Sequence, residues 1–232
     1  MQRFKNIMKL VALIILSILI NVFPMRLIGT QERTAEPMRW LASIGYLIVA
    51  ISIVVMVWKQ YQKKSNHQQP FTFTWKDFGV ALLFYLATRV VAIGGTILIQ
   101  LVTGNQTSAN DAALLATNEQ VMKMFPLYFI AFHAAIGVFA PIMEELIFRG
   151  FFSRYFFKEH HKWLKLLVSS SIFAILHVVY PIEFITYFLL GAIFYLAYAR
   201  RGNIVDSIAV HLLNNSLLVI FSVVNYLLLL FS

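Results

Sequence analysis

The chain has 232 residues, of which 60% are hydrophobic and only 12% are charged. Soluble domains are about half apolar and about a quarter charged, so this composition excludes an ordinary soluble domain and indicates a polytopic membrane protein. The net charge of +9 does not indicate nucleic-acid binding, because basic residues flank membrane spans and set their orientation. The sequence has no cysteine, which excludes disulfide bonds, thiolate metal sites and a cysteine nucleophile.

Seven apolar stretches are long enough for a membrane-spanning helix, which needs about 20 residues. They cover residues 8–28, 40–58, 78–102, 126–157, 164–180, 183–199 and 204–230. The fourth and the last are long enough to be split, so we predict seven or eight spans and leave open whether residues 204–230 form one or two. Apolar residues do not alternate with polar ones, so the predicted fold class is all-α, a transmembrane helical bundle.

The first stretch follows three basic residues and resembles a signal peptide, but no small-residue cleavage site follows it, so we expect it to be retained. Basic residues are concentrated in every second link between the predicted spans. One set of links contains Lys59, Lys63, Lys64, Lys76, Arg154, Lys158, Lys162, Lys165, Arg200 and Arg201. The positive-inside rule therefore predicts a cytoplasmic N-terminus in a multi-pass membrane protein.

Two polar links, residues 59–77 and 103–123, interrupt the first half of the chain. The motifs described below all lie in the second half. We therefore divide the sequence into residues 1–120, N-terminal transmembrane helices and loops without motifs, and residues 121–232, the transmembrane part that contains the motifs.

Three polar clusters interrupt the apolar sequence of the second half. They are Glu144-Glu145 with Arg149, then His177, and then His211 with Asn215. Ionisable side chains inside a span are costly, so they indicate a functional site. At a rise of 1.5 Å per residue the clusters lie about 15–22 Å from the basic residues at the inner helix ends. The sequence therefore predicts one site, built by three helices at a common depth.

Spacing separates the roles within each cluster. Glu145 and Arg149 are four residues apart on one helix face, which predicts a structural ion pair. Glu144 is rotated by about 100° and faces elsewhere. His211 and Asn215 also share a face, so both can address one point. Pro141 removes one backbone hydrogen bond and predicts a kink just before the glutamates.

The three clusters resemble the motifs of a known family in residue type and in order. The matching motifs are Glu144-Glu145-xxx-Arg149, Phe173-xxx-His177 and His211-xxx-Asn215. They are typical of the CPBP family, the CAAX proteases and bacteriocin-processing enzymes, also called the Abi or type II CAAX endopeptidase family. The resemblance covers roughly residues 120–220. It implies an intramembrane endopeptidase of the bacterial cytoplasmic membrane that cuts a small membrane-associated peptide or protein.

The resemblance also implies roles for individual residues. Glu144 and His177 would activate a water molecule. His211 and Asn215 would polarise the scissile carbonyl and stabilise the oxyanion. Glu145 and Arg149 would hold the site together. The implied partners are a peptide or membrane-protein substrate and the lipid bilayer, and the oligomeric state is not determined by the sequence.

The requirement for a metal is left open by the residues. Glu144, His177 and His211 are able to ligate zinc with water in the open position. The sequence has no His-Glu-x-x-His motif. The family has been described both as metalloproteases and as metal-independent glutamate proteases. We favour activation without a metal, and so no cofactor.

Two other functions compete with proteolysis. One is a non-catalytic membrane scaffold or bacteriocin-immunity protein with the same fold, although the intact motifs argue against it. The other is a small transporter with a Glu–His proton relay, which would favour broken helices and internal repeats. No repeat is present in the sequence.

Other polar residues in the spans have simpler interpretations. We expect Asn214 to form a helix–helix hydrogen bond, because it lies off the face of His211 and Asn215. We expect Arg89 to pair with a polar group or to snorkel. We expect His133 to pack or to lie at the interface rather than to line a cavity.

Overall fold

The computed structural model describes residues 1–64, 72–108, 123–158 and 160–230. These residues form helices and contain no strand, and five of the helices are long and apolar enough to cross a membrane. The helices are α1 (Gln2–Thr30), α2 (Glu36–Lys64), α3 (Trp75–Thr103), α4 (Pro126–Phe156), α5 (Lys162–His177), α6 (Glu183–Ala199) and α7 (Ile204–Leu230). The predicted all-α transmembrane bundle is confirmed.

Each helix coincides with one apolar stretch of the sequence. The five long apolar helices are α1, α2, α3, α4 and α7, and α6 is a shorter apolar helix. Residues 204–230 form one continuous helix, which answers the question that the sequence left open. Most of the polar link at 103–123 lies outside the described residues. The number of membrane crossings and the orientation of the N-terminus stay predictions.

Helix α4 is irregular on both sides of Pro141. Its middle segment, Ala140–Glu145, is α-helical, but the flanking segments Ala135–Phe139 and Leu146–Phe152 are π-helical. Proline has no N–H and its ring clashes with the carbonyl four residues earlier, so a regular α-helix cannot continue through it. The disturbance predicted at Pro141 is therefore present, as a π-helical turn that precedes the proline.

The chain divides into two compact units, and neither is continuous in sequence. The first unit contains Met1–Asn66, Thr117–Ile147 and Asn215–Ser232. The second unit contains His67–Ala116 and Phe148–Asn214. The division by motif near residue 120 does not describe these units and stays a prediction about where the catalytic residues lie.

In the first unit, α1 and α2 pack against the first half of α4. The Tyr46 hydroxyl donates a hydrogen bond of 3.0 Å to the carbonyl of Ile20. The Tyr46 ring stacks on Phe23 with 5.8 Å between the ring centroids. The side-chain oxygen of Gln31 accepts a 3.1 Å hydrogen bond from the backbone N–H of Phe125. The first two contacts join α1 to α2, and the last one fixes the start of α4 to the residue that follows α1.

In the second unit, α6 packs against α5 and α3, and glycines make both contacts close. A Cβ atom at Gly191 would lie 3.2 Å from Cα of Ser170 on α5. A Cβ atom at Gly95 would lie only 2.5 Å from Cγ2 of Thr186 on α6. Small residues let helix backbones approach each other, which is a main source of packing energy in membranes.

Four charged residues form an ion cluster in the second unit. Arg200 lies 2.6 Å from Asp77 and 3.0 Å from Asp206, and Arg201 lies 3.1 Å from Asp77 and 2.7 Å from Asp206. A hydrogen bond to Asp77 raises the pKa of Arg200, and one to Asp206 raises the pKa of Arg201. Asp77 also accepts a hydrogen bond from the N–H of Thr74. The cluster thereby ties the start of α3 to the link between α6 and α7.

We expect Gly95→Ala to destabilise the protein by about 1–3 kcal/mol, because the new methyl group overlaps Thr186 and the helices must separate. Gly94→Ala is the matched control, since a Cβ atom there meets nothing within 4 Å. The thermal unfolding midpoint of the purified protein in detergent measures both effects. Equal midpoints for the two variants would contradict the close α3–α6 contact.

Candidate active site

The side chain of Arg149 is completely buried in the second unit. Its Nη2 atom donates a 2.6 Å hydrogen bond to the carbonyl of Gly191. The guanidinium carbon lies 5.1 Å from the ring centroid of Phe173, 5.6 Å from that of Phe194 and 6.0 Å from that of Phe148. Aromatic faces attract a desolvated cation, so the three rings compensate part of the cost of burying this charge.

Two of these rings also hold the two histidines of the predicted site. The Phe173 ring stacks on His177, with 4.2 Å between ring centroids, and meets His211 edge-on at 6.0 Å. The Phe194 ring stacks on His211 at 4.2 Å. His177 and His211, from the second and third polar clusters, therefore contact the same aromatic pair in the second unit.

The hydrogen bond of His177 decides which of its ring nitrogens carries the proton. Nδ1 lies 2.7 Å from the carbonyl oxygen of Phe173. A carbonyl only accepts, so Nδ1 carries the hydrogen and donates it. In the neutral ring Nε2 is then unprotonated and can accept a proton. His177 is half-buried at the end of α5, where this nitrogen is suited to a general base.

Glu144 and Glu145 belong to the first unit, in the short α-helical segment between the two π-helical turns. Glu145 is fully buried, whereas Glu144 is partly exposed. Neighbouring helical residues point about 100° apart, so one enters the interior while the other does not. The two glutamates thus occupy different environments, and the pairing of Glu145 with Arg149 stays a prediction.

Asn215 belongs to the first unit, although it lies one helical turn after His211 on α7. Its side-chain nitrogen donates a 2.9 Å hydrogen bond to the carbonyl of Ile136 on α4. The amide is therefore engaged with the backbone of the helix that carries the glutamates.

Three other polar residues of the spans have the partners expected of them. Arg89 donates through NH2 to the side-chain oxygen of Asn214, and its guanidinium lies 5.3 Å from the ring of Tyr85. This confirms both the pairing of Arg89 and the helix–helix hydrogen bond of Asn214. His133 is buried, and its Nδ1 lies 2.8 Å from the carbonyl of Phe129. Its expected packing role is confirmed.

Glu183 is a residue of this region that the sequence analysis missed. It is buried, and its carboxylate accepts hydrogen bonds from the backbone N–H groups of Val179 (2.9 Å) and Tyr180 (3.2 Å). It thus fixes the link that directly follows His177. The sequence signal was an acidic residue two positions after Pro181, which is typical of the first turn of a helix. Phe194 was also missed, and nothing distinguishes it from the other phenylalanines of the chain.

In the part of the chain that the structure describes, no three His, Asp or Glu side chains are grouped closely enough to hold a metal ion. The preference for activation without a metal stays a prediction, and the mechanism proposed below contains no step through a metal.

Comparison with known proteins identifies the family. The model of a family described as type II CAAX prenyl endopeptidase, Rce1-like, matches residues 126–217, which include all three polar clusters. The membrane-embedded CAAX protease MroQ of Staphylococcus aureus (strain USA300) is 30% identical over 202 residues, which cover 80% of this chain and 74% of MroQ. The chain belongs to the family of membrane-embedded CAAX proteases. The family recognised from the motifs, CPBP or type II CAAX endopeptidases, is confirmed.

Proteins named UPF0177 match shorter parts of the chain. The UPF0177 protein YbdI of Lactococcus lactis subsp. lactis (strain IL1403) is 34% identical over 109 residues. That alignment covers 47% of this chain and 58% of YbdI, so the chain spans little more than half the length of that relative. The UPF0177 protein YbdJ of the same strain is 40% identical over 74 residues, 32% of this chain and 31% of YbdJ. No solved structure matches the chain.

We expect Arg149→Lys to destabilise the protein by about 1.5–3 kcal/mol, because lysine loses the planar contact with three rings and the hydrogen bond to Gly191. The charge is kept, so the change tests geometry rather than net charge. Arg26→Lys, at an exposed position, is the control and should be neutral. Thermal unfolding in detergent measures both variants, and a neutral Arg149→Lys would show that the aromatic contacts contribute nothing.

Proposed function

We propose that the protein is an intramembrane endopeptidase that hydrolyses a peptide bond in a small membrane-associated peptide or protein. Membership of the CAAX protease family supports a membrane peptidase. The observation that carries the proposal is the tautomer of His177, whose Nδ1 is held by the Phe173 carbonyl so that Nε2 is the basic nitrogen of the ring.

In the proposed reaction Glu144 and His177 activate a water molecule. One of the two groups takes the water proton, and the hydroxide oxygen forms a bond to the scissile carbonyl carbon. The tetrahedral intermediate then collapses, the C–N bond breaks, and the same proton is passed to the leaving amine. The carbonyl carbon leaves as a carboxylic acid, so water is the only reagent consumed.

The negative charge that develops on the carbonyl oxygen needs a hydrogen-bond donor. We assign this role to His211, which is buried and held by Phe194. One preorganised donor in a water-poor site contributes on the order of 3–4 kcal/mol to transition-state stabilisation. The resemblance implies the same role for Asn215, but its amide donates a hydrogen bond to the carbonyl of Ile136, so we propose His211 alone as the donor.

The substrate is proposed only as a chemical class. The matching family model is described as a prenyl endopeptidase, and MroQ is named as a CAAX protease. The long helices of this chain carry exposed apolar side chains along their length. A peptide that reaches the site from the lipid phase suits such a surface.

We expect Glu144→Gln and His177→Ala each to lower peptide cleavage at least about 100-fold, because each removes a group that moves a proton. Glu32→Gln and His161→Ala are matched controls at exposed positions. Membrane vesicles that contain equal amounts of each variant are incubated, and new peptide termini are measured by mass spectrometry. Full cleavage by both site variants would contradict the roles proposed for Glu144 and His177. Wild-type cleavage no greater than that of vesicles without the protein would favour the non-catalytic scaffold or immunity protein.

We also expect cleavage to survive treatment with a strong chelator, because the proposed base and oxyanion donor are protein side chains. Peptide release before and after chelation and elemental analysis of the active protein check this expectation. Stoichiometric zinc together with chelator-sensitive release would contradict it and would favour Glu144, His177 and His211 as ligands.

A further inference from the structure

We infer that Asn215 is a positioning residue: it replaces the backbone hydrogen bond that Pro141 removes from α4, and so holds the segment that carries Glu144. The catalytic importance of Glu144 rests on the proposed function. The replacement of a hydrogen bond does not, and can be tested without any activity.

The argument begins with the backbone of α4 before the proline. The N–H of Ala140 donates to the carbonyl of Ala135, five residues earlier, as in a π-helix. The next carbonyl, that of Ile136, would take its hydrogen bond from Ala140 in an α-helix or from Pro141 in a π-helix. The Ala140 N–H is already used, and Pro141 has none. The Ile136 carbonyl is therefore left without a backbone donor.

An unsatisfied carbonyl in a membrane span costs several kcal/mol, because no water is present to bond it. The side chain of Asn215 removes this cost. Its Nδ2 lies 2.9 Å from the Ile136 carbonyl oxygen, on a helix 79 residues further along the chain. Side chains of neighbouring helices commonly satisfy the groups that a proline frees inside a span.

A second contact one helical turn away shows that α7 is closely fitted to α4 at this point. A Cβ atom at Gly137, the residue after Ile136, would lie 2.8 Å from Cγ2 of Val219. Asn215 and Val219 are four residues apart and share one face of α7. Two residues of that face thus meet two consecutive residues of α4, and the glycine makes the approach possible.

The hydrogen bond lies next to the segment that matters for the proposed chemistry. The α-helical segment Ala140–Glu145 begins directly after the π-helical turn, and Glu144 follows Pro141 by three residues. Fixing the Ile136 carbonyl fixes the π-helical turn, and with it the start of this segment. Asn215 thereby acts through Glu144, whereas an oxyanion donor would act on the substrate.

A double-mutant cycle on thermal stability tests the replacement directly. Asn215→Ala should lower the unfolding midpoint of the full chain in detergent by about 2–12 °C, the shift expected when a buried carbonyl loses its hydrogen-bond donor in a protein of this size. In a Pro141→Ala background the introduced alanine has an N–H that can serve Ile136, so the same change should cost less than about 1 °C. Asn214→Ala is the matched control and should cost the same in both backgrounds, since Asn214 bonds Arg89.

Asn215→Asp provides a second variant of nearly the same shape. At alkaline pH, where its carboxyl group is ionised, it has no hydrogen to donate to Ile136, so the midpoint measured there should fall at least as far as with alanine. Equal losses for Asn215→Ala in both backgrounds, or no loss for either variant, would overturn the inference.

Peptide release separates positioning from direct contact with the substrate. Below all the unfolding midpoints, Asn215→Ala should lower release about tenfold, because small displacements of a reacting group are costly. Asn215→Ala combined with Pro141→Ala should then match Pro141→Ala alone, whereas His211→Ala should lose release in both backgrounds. If Asn215→Ala lowers peptide release in both backgrounds without lowering the unfolding midpoint, the inference is overturned and Asn215 takes the oxyanion role. If Pro141→Ala abolishes peptide release by itself, the double-mutant cycle on thermal stability tests the inference.

Discussion

The burial of Arg149 is the constraint around which the second unit is organised. A guanidinium group inside a membrane protein needs acceptors and polarisable neighbours, and here a backbone carbonyl and three phenylalanine rings provide them. The carbonyl is that of Gly191, whose missing side chain lets α5 and α6 approach closely. Two of the rings, Phe173 and Phe194, then stack on the histidines of α5 and α7. Burying one cation thus sets the positions of the histidines proposed for catalysis.

For the residues that the structure describes, the number and location of the helices could be predicted from the sequence, because hydrophobic length is a local property of the sequence. The polar clusters were also visible, since charged groups in apolar segments are rare for energetic reasons. The side chains that contact these charged groups could not be identified from the sequence. The aromatic contacts of Arg149 come from Phe148, Phe173 and Phe194, which lie on three helices and do not differ in type from the many other phenylalanines. Only the packing of the helices selects them.

The prediction that His211 and Asn215 address one point rests on their spacing and stays a prediction. Four-residue spacing places two side chains on one helix face, but it does not say what that face meets. The amide of Asn215 bonds the Ile136 carbonyl because a π-helical turn precedes Pro141, and the register of such a turn depends on tertiary contacts. Glu183 illustrates the opposite case, since an acidic residue at the start of a helix after a proline is a local signal that the sequence already contained.

The ion cluster at the start of α3 has a consequence for the order in which the chain assembles. Asp77 and Arg200 are 123 residues apart, so during synthesis α3 is made long before its cationic partners leave the ribosome. Throughout that interval the carboxylate of Asp77 depends on Thr74 and on water for its hydrogen bonds. When Arg200 and Arg201 emerge, they close this cluster, and α7 follows directly with Asp206 in its first turn. The cluster therefore marks a late step of biogenesis, at which an early helix and the last one become joined.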